Sequence, residues 1–193
     1  MGLSHWHTRF ESDALVLGGY PFRRGSRPSR LPVRALSEVC VGWHPPTVRT
    51  HEGEYLFVPA VQARELADFA DQHSVPFLRR DDVWSLVLEE FLDTEFTPEQ
   101  QEATLRRLEE TGVGRAETRA IRRRVEDRML AFTALTWEWV HYGLYDVLSA
   151  MKHLSLLGRA APPFYEEAMR LAERGSTHPS SREEFLRGFV SPG

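Results

Sequence analysis

RAETRAIRRRVEDRMLAFTALTWEWVHYGLYDVLSAMKHLSLL, residues 115–157, is the stretch on which the fold turns. In it Ile121, Val125, Met129, Phe132, Thr136, Val140, Gly143, Val147, Met151 and Leu154 recur every three or four residues, the spacing of one helical face, and predict one long helix. From Met129 onward Leu130, Leu135, Trp137, Trp139, Leu144, Tyr145 and Leu148 make the opposite side apolar too, and a helix apolar all round needs neighbours all round. The rest of the chain is expected to pack on it. Glu138, His141 and Asp146 within it argue against a membrane span, since ionisable groups are costly in hydrocarbon.

Outward from this segment the pattern stays helical over residues 81–193. Asp81 is placed to cap a helix that carries Val83, Trp84, Val87, Leu88, Phe91 and Leu92 inward. Thr97-Pro98-Glu99-Gln100 is a specific start signal: a threonine cap, proline at the first helical position and glutamine positioned to close a capping box. Gly158 and Pro162-Pro163 end the long helix, a shorter one follows over 163–174, and Ser181 opens a last turn or two. The first 80 residues read differently. Short β-branched and aromatic runs at 14–17, 39–43, 47–50 and 55–58 predict strands, the last two as a hairpin, and 61–72 a helix against them. Residues 75–78 read as a last edge strand, because Pro76 cannot donate to a sheet ladder.

The fold expected is α+β, a small antiparallel N-terminal sheet packed on a predominantly helical C-terminal bundle with one long central helix. Residues 1–80 form the small α+β section and 81–193 the bundle, together one compact domain. Residues 21–32 between the strands, rich in proline, glycine, serine and arginine, read as a mobile loop.

Composition narrows the classes of function. The chain has 193 residues, 41% hydrophobic and 27% charged, with a net charge of -4, which disfavours general affinity for phosphate backbones. Cys40 is the single cysteine, so no internal disulfide or multi-thiolate metal site can form, and a reducing cytoplasm is the expected location. The N-terminus has neither the charged start nor the apolar run of a signal peptide. Glycine-rich phosphate loops, serine-nucleophile elbows and paired-cysteine zinc patterns are missing, and no cofactor is indicated.

Four groups of residues bear on function. Arg23, Arg24, Arg27 and Arg30, in a stretch with no acid between Asp13 and Glu38, are candidates to hold an acidic partner. Glu138 and His141, three apart on the long helix, would share a face as general base and partner, or as a buried hydrogen-bonded pair. His5, His7 and Glu11 would place two imidazoles on one side of a strand with a carboxylate near them, a possible metal set. With Gly18 these last residues resemble the first metal-binding motif of cupins, which implies iron, manganese or zinc in a β-barrel; the likeness covers 14 residues, and no second motif follows. Residues 105–118, with Arg119, Arg122, Arg123 and Arg124 beyond the glycine-valine turn, superficially resemble helix-turn-helix sequences, which implies arginines in a major groove.

The leading expectation is a non-catalytic binding or regulatory protein acting through contacts with another protein. A metal-dependent enzyme with a His/Glu site is the alternative, and a DNA-binding regulator using the arginine-rich helix start the second.

Overall fold

The computed structural model describes residues 6–22, 30–91, 97–136, 142–153 and 162–189. The fold is α+β, and its described residues divide into two compact units. One holds the chain up to Arg80 together with the stretch from Thr177 on, and the other runs from Asp81 to Ser176.

In the first unit β1 (His7–Glu11), β2 (Ala14–Gly18) and β3 (Arg30–Pro32) form an antiparallel sheet with β2 in the middle. A second sheet has the order β6-β5-β4-β7-β8, built from β4 (Leu36–Val41), β5 (Thr47–Thr50), β6 (Tyr55–Phe57), β7 (Phe77–Arg80) and β8 (Thr177–Pro179). The hairpin β5–β6 lies where the sequence places it. Two features of this sheet correct the sequence reading. β7 pairs with β4 in parallel, so the sheet is mixed, and the edge beyond β7 is taken by β8, returning from the far end of the chain.

Alternation along the strands gives the second sheet two different faces. Val39, Val41, Val48, Leu56 and Phe77 face α1 (Ala63–Gln72), which offers Leu66, Ala67 and Phe69, and Phe185 of α7 (Arg182–Arg187). This is the apolar core of the unit. Helix α1 also guards a sheet edge: the Gln62 side chain, just before it, accepts from Thr8 N–H at 3.0 Å and donates to Thr8 C=O at 2.7 Å, as a neighbouring strand would.

The second unit is helical. Its elements are α2 (Val83–Leu88), α3 (Pro98–Glu110), α4 (Arg115–Thr136), α5 (Leu144–His153) and α6 (Pro162–Ala172). The capping box at Thr97 and Gln100 forms as expected. At its other end α3 stops at Gly112, whose φ of +81° suits glycine, and Val113 N–H returns to Leu108 C=O at 2.9 Å. The glycine-valine turn is therefore an ordinary helix C-cap. The N-cap of α2 is Asp82, one residue beyond the expected Asp81.

The single helix expected over 115–157 is two helices, α4 and α5, with Tyr142 and Gly143 out of helical conformation between them. Gly143 C=O begins α5, and the Asp146 side chain reaches back to accept Gly143 N–H at 2.9 Å, closing the new N-terminus. Among the described residues the two halves of this segment, α4 and α5, together reach α2, α3 and α6, and the short α2 packs against α3, α4, α5 and α6 as well.

Candidate functional site

The residues singled out by sequence fall in different places. Glu138 and His141 lie outside the described residues, as do His5, Arg23, Arg24 and Arg27. Arg30 is described, at the start of β3, where it donates to Glu11 at 3.0 Å and pairs with Asp13; the bond to Glu11 and the charge of Asp13 hold its pKa above the usual arginine range. His7 and Glu11 share the outward face of β1, but four residue steps along the strand separate them by about 13 Å. Arg9 stands between them, and Arg9 and Arg30 both reach the Glu11 carboxylate. Gly18, the fourth member of the cupin-like pattern, is the cross-strand partner of His7, and a Cβ there would run into the imidazole. The glycine makes room for the ring. Among the described residues no group of three or more His, Cys, Asp or Glu could hold a metal ion.

The helix-turn-helix arginines are partly engaged inside the second unit. Arg122 donates to Val87 C=O at 2.9 Å, at the C-terminal end of α2 where carbonyls lack partners, and pairs with Glu90. Arg124 pairs with Glu167.

Two clusters of buried charge are architectural. In the first unit Glu38 is 3% exposed and accepts from Arg80 at 2.8 Å, with Arg49 at 3.9 Å. Burial works to lower the Arg80 pKa, but the bond to Glu38 and attraction from Tyr55, Glu38 and Cys40 overcome it, so the guanidinium stays charged. Trp43 stacks on Tyr55 at 4.6 Å beside this pair and donates its indole N–H to Arg80 C=O. Cys40 beside them is fully buried.

In the second unit Asp82 caps two helices at once. Its Oδ1 accepts from Trp84 N–H at 2.9 Å at the start of α2, and its Oδ2 accepts from Leu144 N–H at 3.2 Å at the start of α5. Gly143 has no side chain with which to cap α5, and a Cβ there would crowd Asp82 Oδ2, so the glycine and the donated carboxylate belong together. Desolvation pushes the Asp82 pKa up to about 6 against the pull of the backbone amides of Leu144, Trp84 and Ser85.

One open feature among the described residues is a cleft of about 610 Å³ in the second unit, lined by Trp84 of α2, Glu117 and Ile121 of α4, Glu167, Arg170 and Leu171 of α6, and Arg174 just beyond. Trp84 lies buried beneath it, 1% exposed, its indole N–H donating to Ala168 C=O at 3.0 Å and its ring 6.0 Å from that of Phe164. Arg124 covers Phe164, its guanidinium carbon 5.3 Å from the ring centre. The two walls run antiparallel and are tied at both ends by ion pairs of opposite polarity, Glu117 with Arg174 at 2.9 Å and Arg124 with Glu167. Midway between the ties, Ile121 of one wall and Arg170 of the other line the opening. This volume lies within the range of sites that hold ligands, and apolar surface with a few placed charges is their usual lining.

In the sequence Glu117 belongs to the helix-turn-helix-like stretch and Trp84 is one of the tryptophans that could anchor a partner; the remaining cleft residues carry a signal of their own. Glu117, Ile121 and Arg124 on one helix and Glu167, Arg170 and Arg174 on the other form complementary charge patterns at helical spacing. Compared with family models, with curated proteins and with solved structures, the chain matches none of them. No helix among the described residues is long and apolar enough to cross a membrane.

Proposed function

We propose that this is a non-catalytic binding protein that acts by contact with another protein, and that the cleft between α4 and α6 receives an apolar side chain of that partner. The observation that carries the reading is the construction of the cleft. Ile121 forms its accessible apolar wall over the buried Trp84 and Leu171, both of its ends are tied by ion pairs, and its middle is open. Binding energy at protein interfaces concentrates where an apolar anchor enters such a desolvated pocket inside a charged rim.

A random twelve-residue peptide library displayed on phage, selected on immobilised protein, tests this. Enriched peptides are expected to lose at least tenfold in affinity on Ile121→Glu, a change at a partly exposed wall position that leaves the melting temperature within about 3 °C of wild type. Failure to enrich any peptide family, or equal binding to the variant, would overturn the proposal.

A further inference from the structure

We infer that the segment the cleft accepts carries an acidic residue within one or two positions of its apolar anchor, and that Arg170 selects it. This rests on the reading of the cleft as a protein-binding site and goes further by naming the partner's chemistry.

Three arginines, 124, 170 and 174, and two glutamates, 117 and 167, stand on or beside the walls of the cleft. Each glutamate is engaged, Glu117 by Arg174 and Glu167 by Arg124. Arg170 is left over: it is exposed and has no hydrogen-bond or ion-pair partner among the described residues. Facing it across the cleft is Ile121, which offers no acceptor. The middle position therefore combines an apolar wall over a buried indole with a guanidinium that none of the described residues answers.

Geometry limits what can answer it. Glu117 and Arg124, which mark the two ends on α4, are seven residues and thus about 10 Å apart along the helix axis. An extended segment covers that length in about three residues. A side chain seated against Ile121 and a carboxylate reaching Arg170 must then come from neighbouring positions of one short stretch. A guanidinium binds a carboxylate through two parallel N–H donors, so Asp or Glu suits it and a neutral amide does not. A basic residue at that point would meet three arginines.

The same phage library, selected in parallel on wild type and on Arg170→Glu, tests the inference. Wild type is expected to enrich Asp or Glu within two positions of a Leu, Phe or Trp, at least fivefold over the starting library. Arg170→Glu is expected to abolish that preference and enrich Lys or Arg in the same place. Peptides that depend on Ile121 but show no acidic preference, or the same preference on both proteins, would overturn the inference and leave the cleft as a binding site. No enrichment on wild type would overturn both. N-acetyl-tryptophan, an apolar group and a carboxylate without a polypeptide, serves as competitor; displacement with an affinity within threefold of the peptide's would overturn a polypeptide occupant.

Discussion

The carboxyl of Asp82 should make this protein respond to acid in the opposite sense from an ordinary surface carboxylate. Folding raises its pKa from 3.8 to about 6, so the folded chain holds this proton more tightly than the unfolded chain does. The stability contributed is fully present below pH 3.8 and is lost as the pH rises through about 6. At about 1.36 kcal/mol per unit the limiting effect is about 3 kcal/mol, an upper bound because the residue keeps partial contact with water. Between about pH 7 and about pH 5 the linkage integral gives about 1.3 kcal/mol, close to tenfold in the unfolding constant. Glu102, Glu183 and Glu184 act in the other direction: Arg115 lowers the first, the backbone of Glu183 and Ser181 the second, and Ser180 with Arg79 the third. Comparison with Asp82→Asn cancels them. Asparagine caps α2 as well as aspartate does, and the lost acceptor for Leu144 is a constant offset. Urea unfolding followed by tryptophan fluorescence at both pH values should show wild type gaining about 1.3 kcal/mol on the variant as the pH falls. Parallel pH profiles for the two proteins, or a wild type that loses ground on acidification, would refute the argument that desolvation outweighs the backbone amides at this site.

Other substitutions probe the remaining architecture. Gly143→Ala puts a Cβ against Asp82 Oδ2 and should destabilise by about 2 kcal/mol, as thermal melts will show. Glu38→Ala leaves Arg80 buried without its carboxylate and should cost about 3 to 5 kcal/mol, most of it recovered when Arg80→Met is added, as urea unfolding will show. Thr97→Ala removes the threonine half of the α3 capping box and should cost about 1 kcal/mol by the same measurement.

Sequence and structure agree best where a short stretch carries its own instructions. Thr97, Pro98 and Gln100 specify a helix start within four residues, and the hairpin of 47–57 needs only two strands joined by a four-residue turn. Agreement fails where a distant segment supplies the missing partner. Thr177-His178-Pro179 has little strand character and becomes β8 only because β7 offers an unpaired edge. The break before α5 was hidden for the same reason. Gly143 falls on the apolar spacing that runs through residues 115–157, and a single glycine in such a pattern does not end a helix by itself. Two carboxylates cap the start of α5, Asp146 from within that helix and Asp82 from sixty-two residues before Leu144, and only the first is visible locally.

The cleft follows the same logic. Both its walls pack on α2, six residues long, and a short helix cannot fill the space between two longer ones. The paired charges Glu117 with Arg174 and Arg124 with Glu167 mark the register of the walls, in which Ile121 and Arg170, one helical turn in from the ties, share the middle. A pattern built only to join the helices would place a carboxylate opposite Arg170, as it does at either end. Isoleucine there forgoes an exposed ion pair worth about 0.5 kcal/mol and leaves the guanidinium available to a partner.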